Sequence, residues 1–354
     1  MSVTDLRLEV PFLPDPAYQR FLEENARHLA AVNVALPLLA DARCAGARPT
    51  LETVAEGLGR LRGPSRYLLL NARVHDPALY DPEQLAKRFW EPISPLMDAG
   101  VVEGIVWADA YLLQALGDAA PDLAAGLEAV PSINLMPDRL ERIGALMAQA
   151  AAAGFAAPTK LVLDRCLNRR PADLPRVVEG CRALFPGLKL GLLANEGCLP
   201  HCPFKLTHDA QIAMTHLGLS TDTFSLNRDL GCLHQLTRAP WKIYRSPFLG
   251  PEDLASVSET VDFIKLSGRT LGPAFLARTA AAYLYGAFDG NLFDLLDAPS
   301  EMARRVFIDN RRLPANLAAR IGACPAVCGD CDWCQKLHRR CARTLPLTIG
   351  PMPA

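Results

Sequence analysis

Short apolar runs alternate with amphipathic stretches along most of this 354-residue chain. Near-continuous apolar strands that are joined by helices are typical of a parallel sheet with both faces covered. The predicted strands cover residues 31–38, 66–71, 102–108, 132–135, 160–163, 189–194, 241–244 and 263–266. About eight such strands predict a closed TIM-like (β/α)8 barrel, an α/β fold, and leave an open doubly wound sheet as the alternative.

Helical periodicity fills several of the intervals between these runs. The predicted helices cover residues 82–99, 138–153, 171–184 and 274–284. Pro82 and Pro171 stand at first-turn positions, where a proline is tolerated. Pro92 and Pro95 are expected to kink or break the first helix. The glycines of residues 57–63 have the wrong spacing for a dinucleotide loop and do not follow a strand.

Composition and charge limit the class of protein. Half of the residues are hydrophobic and the formal net charge is −1, with no long basic block, so no nucleic-acid partner is indicated. Residues 145–157 are the most apolar stretch, but they are too short to span a bilayer. Residues 1–11 lack the apolar core of a secretory signal, which predicts a cytoplasmic protein. We expect a barrel domain over residues 1–300 and a cysteine-rich extension over residues 301–354 packed on it.

Eleven cysteines in a chain without an export signal indicate metal or redox chemistry rather than a disulfide framework. Cys324, Cys328, Cys331 and Cys334 lie within eleven residues, and this continuous run predicts a [4Fe–4S] cluster. Four-cysteine zinc sites usually pair two CxxC knuckles across a longer spacer, so zinc is the alternative. The first three cysteines also match the spacing of radical S-adenosylmethionine enzymes. Those enzymes carry the motif near the start of the barrel, so that interpretation is not favoured.

A second group of cysteines follows the sixth predicted strand. Cys198 and Cys202 come directly after that strand and Cys232 lies thirty residues further on. The carboxyl end of a barrel strand is where active sites are built. These three thiols are predicted ligands of a second cluster, or of one shared with the extension. A cysteine of the extension, Cys166, His208 or an exogenous molecule is the candidate fourth ligand.

Several segments of the chain resemble the peptidase U32-like proteins. The segments are residues 163–169 (LDRCLNR), 192–205 (LLANEGCLPHCPFK), 247–254 (PFLGPEDL), 262–269 (DFIKLSGR) and 290–296 (GNLFDLL), and the resemblance runs from about Val34 to Cys334. Members of that family resemble one another in an α/β barrel and often in a [4Fe–4S] cluster on four cysteines. Several take part in oxygen-independent hydroxylation of a quinone precursor or of RNA bases. The chain looks like an uncharacterised branch, since it has three obvious barrel cysteines and an extra C-terminal motif.

Polar residues that follow predicted strands are expected at the mouth of the barrel. Lys265 and Arg269 could hold an anionic substrate, and a desolvated Glu196 could act as a general base. Asn71, Asp109 and Asn134 are also expected there. The candidate residues are Glu196, Lys265, Arg269, Asp164 and Asn195 as catalytic residues, Arg165, Asn168 and His208 as cofactor-binding residues, and Cys198, Cys202, Cys232, Cys324, Cys328, Cys331 and Cys334 as metal ligands.

These patterns favour an iron–sulfur enzyme that acts on a small molecule at the barrel mouth. The resemblance implies oxygen-independent hydroxylation or related redox chemistry, with one or two [4Fe–4S] clusters and an electron-transfer or paralogous protein as partner. A zinc- or cluster-stabilised binding or scaffold protein is one alternative, and a peptidase is another. The sequence contains no GxSxG, HExxH or P-loop element, so serine or zinc hydrolysis has no support from motifs.

Overall fold

The computed structural model of the chain describes residues 6–35, 50–221, 225–325 and 328–346. The strands are β1 (Arg7–Pro11), β2 (Leu29–Val34), β3 (Ser65–Leu70), β4 (Gly104–Trp107), β5 (Glu128–Pro131), β6 (Lys160–Leu163), β7 (Lys189–Leu193), β8 (Phe263–Lys265), β9 (Val306–Ile308) and β10 (Ala342–Thr344). The first eight form one sheet in the order β5-β4-β3-β2-β1-β8-β7-β6, and all its pairs are parallel. A parallel bridge between Glu128 and Ala156 joins its two outer edges. The predicted TIM-like (β/α)8 barrel is therefore confirmed.

Helices cover the outside of this barrel. They are α1 (Pro16–Glu24), α2 (Leu51–Arg60), α3 (Pro82–Leu85), α4 (Glu91–Asp98), α5 (Ala110–Ala119), α6 (Pro121–Ala125), α7 (Leu140–Ala152), α8 (Asp173–Leu184), α9 (Lys205–His216), α10 (Ser225–Asp229), α11 (Cys232–Arg238), α12 (Pro273–Tyr285), α13 (Leu317–Gly322) and α14 (Trp333–Cys341). Side-chain caps fix several starts. Asp15 accepts hydrogen bonds from the amides of Ala17 and Tyr18 at the start of α1, and Asp109 caps α5 in the same way.

Short 3-10 helices fill many of the connections. They are Ala26–His28, Pro77–Tyr80, Ile133–Leu135, Arg165–Arg169, Pro240–Arg245, Pro251–Ser256, Arg269–Leu271, Leu292–Asp294, Ser300–Arg304 and Asn310–Arg312. A π-helical segment, Ala86–Trp90, connects α3 to α4. The helix predicted over residues 82–99 is interrupted, as expected, but the irregularity does not lie at the prolines themselves. Pro92 lies in the first turn of α4 and Pro95 lies inside that helix, and the irregularity is the π segment immediately before them.

Two predicted strands are wrong. Residues 132–135 form the 3-10 helix Ile133–Leu135, because the Ser132 side chain caps that turn by accepting a hydrogen bond from the Asn134 amide. Residues 241–244 form the 3-10 helix Pro240–Arg245, whose apolar side chains pack outside the barrel. The sequence prediction also missed β1 and β5. The strand predicted at residues 31–38 is β2, and residues 36–38 lie outside the described part of the chain.

The sheet separates two apolar layers. Leu8 and Val10 of β1 join the large core between the strands and the helices, whereas Glu9 between them faces the barrel interior, since successive side chains of a strand point to opposite faces. The interior is filled by two small apolar clusters. Their buried members are Ala31, Tyr67, Val106, Val130, Ile133, Val162, Leu193 and Phe263.

The extension packs on the barrel through a second apolar core to which both contribute residues. Met302, Ile308, Leu337 and Cys341 of the extension contact a set that includes Phe293, and β9 pairs with β10 in an antiparallel ribbon. This core, called here the junction core, also contains Leu233, Ile243, Tyr244, Phe248, Leu292, Leu296, Val306, Leu317 and Ile321. Among the described residues, no helix is long and apolar enough to cross a membrane.

Candidate active site at the barrel mouth

A cavity of about 80 Å³ lies at the carboxyl ends of the barrel strands. Asn71 follows β3, Glu196 follows β7, Lys265 ends β8 and Arg269 comes shortly after it, and Asn134 lies in the turn after β5. The structure therefore brings five of the predicted mouth residues together. The other lining residues are Pro11, Asn33, Leu69, Val106, Ser132, Ile133, Leu193, Leu266, Ser267, Gly268, Thr270 and Asp297.

A buried ion-pair network forms the floor of this mouth cavity. Lys265 Nζ lies 2.5 Å from Glu9 Oε1, and Lys160 from β6 donates a hydrogen bond to the other carboxylate oxygen of Glu9. Asn33 Nδ2 donates to Glu9 Oε1 at 2.7 Å. Burial alone would raise the pKa of Glu9, but the two ammonium groups lower it to about 2. The carboxylate therefore stays ionised and holds Lys265 at the cavity floor.

The sequence analysis missed Glu9, Asn33, Lys160 and Asp297 as site residues. Glu9 and Lys160 are fully enclosed or nearly so, with side-chain exposures of 0% and 7%. The signal that could have identified Glu9 is its position between Leu8 and Val10, since a charged residue between apolar ones in a strand marks the opposite face. β1 was not recognised, so that alternation was not used.

Arg165 links the mouth cavity to the first cysteine group. It begins the turn after β6, is 8% exposed, and forms an ion pair with Glu196. Its Nη1 atom also donates to Cys198 Sγ at 3.8 Å. Burial would lower the pKa of Arg165, but Glu196 and Cys198 raise it above its usual range, so the guanidinium is charged. Its Nη2 atom is buried and has no hydrogen-bond partner within the described chain.

Gly197 makes this arrangement sterically possible. Its φ of +73° lies in the left-handed region, which favours glycine. A Cβ atom at this position would lie 2.7 Å from Pro299 Cδ. The glycine therefore lets Glu196 reach the mouth cavity while Cys198, one residue further on, contacts Arg165.

Three barrel cysteines are neighbours. Burial raises the pKa of Cys198, and the nearby groups Glu196, Cys202 and Cys232 raise it further. Cys198 and Cys202 line a second cavity of about 310 Å³ at the rim. Cys166, Asp164, Arg165, His201 and Lys205 also line this rim cavity. The ion pair of Arg165 with Glu196 thus connects the rim cavity to the mouth cavity.

The four cysteines of the extension form a separate group. Burial raises the pKa of Cys334 to about 11, and the thiols of Cys324, Cys328 and Cys331 add to the rise. Arg245 Nη1 donates to Cys328 Sγ at 3.1 Å. Cys328 and Cys331 are exposed, whereas Cys334 is half-buried against the junction core.

The placement of these thiols does not amount to a site for a single metal ion. Within the described ranges, no group of three or more His, Cys, Asp and Glu side chains is arranged so that it could hold one. Neighbouring thiols nevertheless add to the rise in the pKa of Cys198 in one group and of Cys334 in the other. The predicted ligand sets are therefore brought together as neighbours, and their role as metal ligands stays a prediction.

The chain is similar to a curated protein. The chain is 30% identical over 182 residues to the Uncharacterized protease MJ1657 of Methanocaldococcus jannaschii. The aligned region covers 51% of this chain and 52% of that protein. The similarity to the peptidase U32-like group is confirmed. The chain spans about half the length of the curated relative it matches. A solved structure of the U32 peptidase Mk0906 aligns with a TM-score of 0.48 and 15% identity, over 76% of this chain and 96% of that one. No protein-family model matches.

The remaining predicted site residues lie around the mouth rather than in it. Asn195 is fully buried and bonds the backbone of Ser267 and Leu295, and Asn168 Nδ2 donates to the carbonyls of Leu193 and Pro247. Both asparagines tie the loops of the site together.

Three further candidates lie at the edge of the site. Asp164 accepts a hydrogen bond from the Cys166 amide and lines the rim cavity. His208 is half-buried on α9. Asp109 is paired with His75, and its other carboxylate oxygen accepts hydrogen bonds from the amides of Tyr111 and Leu112, so it caps α5.

Proposed function

We propose that the chain is an iron–sulfur enzyme of the U32-like type that acts on a small molecule at the barrel mouth. The reaction class is oxygen-independent hydroxylation or a related oxygen or electron transfer. The observation that carries the proposal is the Arg165 guanidinium. It contacts Cys198 of the cysteine group on one side and Glu196 of the mouth cavity on the other. A redox centre on these thiols would be next to the bound substrate.

The chemistry of the site fits a sulfur-bound cluster. Cys198, Cys202 and Cys232 supply three neighbouring thiols, and thiolates are the ligands that such clusters use. The buried, unpartnered Nη2 of Arg165 is a hydrogen-bond donor beside Cys198, and donors of this kind stabilise cluster sulfurs. A cluster bound there would supply electrons to the mouth.

The protein's own residues would bind and orient the substrate. Lys265 presents an ammonium group fixed by Glu9, and Arg269 presents a guanidinium on the next turn, so the cavity suits an anionic group on the substrate. Asn71 and Asn134 add neutral polar contacts. Glu196 lies where a carboxylate can accept a proton from bound water or substrate.

The test is purification of the full chain without oxygen, followed by analysis for iron, acid-labile sulfide and zinc and by visible spectroscopy. The proposal expects a brown protein with iron and sulfide, whose absorbance bleaches on reduction with dithionite. A colourless folded protein with zinc and no sulfide would overturn it and favour a zinc-stabilised scaffold. A folded protein with no metal would overturn both.

A peptidase is the second candidate, since the curated relative is an uncharacterized protease. The test uses unfolded casein, with and without a metal chelator, on wild type and on the Cys198→Ala variant. Cleavage that persists in both conditions would support a peptidase whose chemistry does not need the cysteine group. Absence of cleavage in a protein that contains iron would support the iron–sulfur proposal.

A further inference from the structure

The charge of this chain is unevenly distributed. Residues 301–354 contain nine Arg or Lys and four Asp or Glu, a net charge of +5, although the whole chain carries −1. The other 300 residues therefore carry −6. A charge asymmetry of this kind is a physical signal of a charged partner.

The positive charge of the extension is next to its exposed thiols. Arg320 lies 5.7 Å from the ring of Trp333, the first residue of α14, and Arg245 donates to Cys328 Sγ. Along α14, Leu337 and Cys341 face the junction core, while Lys336, Arg339 and Arg340 are exposed. The helix has nine residues and starts two residues after Cys331, so Lys336, Arg339 and Arg340 lie within about 13 Å of its start along the helix axis. We call Cys328, Cys331, Arg245, Arg320, Arg339 and Arg340 the basic thiol face.

We propose that the basic thiol face docks an acidic redox protein, a one-electron carrier with a negative surface. This inference rests on the proposed function. In the transfer, the reduced carrier would lose one electron, and a cluster held by Cys324, Cys328, Cys331 and Cys334 would gain it. Cys334 of the extension and Cys232 of the barrel cysteines both pack against the junction core, which therefore lies between the point of entry and the site that would use the electron.

Charge complementarity is what selects this partner. Electron carriers dock through small surfaces with short residence times, and opposite charge on the two partners raises the rate of encounter. Exposed thiols at the centre of the face would place the redox centre at the point of contact. The acidic residues beside the thiols are Asp330 and Asp332, and Asp332 is paired with Lys336 at 2.9 Å. The four arginines outnumber the remaining carboxylate, so the face keeps a net positive charge.

The experiment measures binding of the full chain to an oxidised acidic plant-type ferredoxin, with basic cytochrome c as the carrier of opposite charge. The expected result is binding of the ferredoxin that weakens at least about tenfold between 0.01 M and 0.15 M salt, because the Debye length falls from about 30 Å to about 8 Å. Arg339→Glu with Arg340→Glu should weaken binding about tenfold or more. The matched control is Lys87→Glu with Arg88→Glu, at two exposed residues of the π segment. It makes the same charge change elsewhere and should leave ferredoxin binding within about twofold of wild type.

Equal loss in both double variants, equal binding of cytochrome c, or no ferredoxin binding would overturn the proposal. Binding of a single-stranded RNA oligonucleotide that needs Arg339 and Arg340, without ferredoxin binding, would assign the face to nucleic acid instead. The binding measurement needs no turnover and no bound iron. Its failure is therefore distinguishable from failure of the iron–sulfur assignment, which metal analysis decides.

Discussion

Arg165 Nη1 lies 3.8 Å from Cys198 Sγ, and the same guanidinium is paired with the carboxylate of Glu196. Two strands contribute to this contact, because Arg165 follows β6 and the other two residues follow β7. The contact connects a thiol group to the cavity at the barrel mouth. The proposed electron transfer from the thiol group to a bound substrate depends on this contact.

Replacement of this arginine should destabilise the loop after β7. Arg165→Gln leaves the Glu196 carboxylate, whose side chain is 14% exposed, without its cation, and we expect a loss of about 3 kcal/mol in the free energy of unfolding. Urea unfolding of Arg165→Gln, of Glu196→Gln and of the double variant that combines them forms a double-mutant cycle. The double variant should lose clearly less than the sum of the singles. Additive losses would show that the pair is not coupled.

Acid should weaken the barrel through Glu9. Its folded pKa is about 2 against an ordinary value of 4.5, so the stabilisation is complete above pH 4.5 and is lost as the pH falls towards 2. The difference corresponds to roughly 3 kcal/mol. Unfolding free energies measured from pH 5 to pH 2 should fall more steeply in wild type than in Glu9→Gln. Parallel curves for the two proteins would contradict the ion-pair network.

Strong local periodicity made most of the barrel predictable. β6 matches its predicted bounds, and β3, β4, β7 and β8 lie close to theirs, because apolar runs between helices have few other stable arrangements. The failures have tertiary causes. Residues 241–244 are apolar enough for a strand, but Ile243 and Tyr244 bury in the junction core, which no local pattern reveals.

Gly197 should be intolerant of a side chain for two separable reasons. Gly197→Ala adds the left-handed backbone cost of about 1–2 kcal/mol and a clash with Pro299. Gly187→Ala is the matched control, since Gly187 has φ +86° but nothing within 4 Å of its Cβ position. Thermal unfolding should show a larger loss for Gly197→Ala. Equal losses would mean that Pro299 moves away freely.

The extension should detach before the barrel unfolds when the junction core is weakened. Leu337→Ala removes a side chain that is 5% exposed, which costs about 3 kcal/mol on the scale of buried leucines. Limited proteolysis should release residues beyond 300 faster than in wild type while the barrel fragment survives. Simultaneous loss of both parts would show that the extension and the barrel unfold as one unit.

The candidate site was predictable at strand ends and not inside the barrel. Lys265, Arg269 and Glu196 were identified because parallel strands bring their carboxyl ends together. The roles of Asn195 and Asn168 as loop ties depend on backbone carbonyls that only the folded chain brings within reach. A sequence shows which side chains can bond, but not which carbonyls they meet.

The most direct test of the central claim is the iron and acid-labile sulfide content of anaerobically purified wild type, Cys198→Ala and Cys181→Ala. Cys181 is the matched control, because it is fully buried in the large core on α8. We predict that Cys198→Ala loses about four iron atoms per chain relative to wild type, the content of one [4Fe–4S] cluster. Cys181→Ala should retain the wild-type content. Equal iron in all three proteins, or no iron in wild type, would contradict the claim that the barrel cysteines hold a cluster.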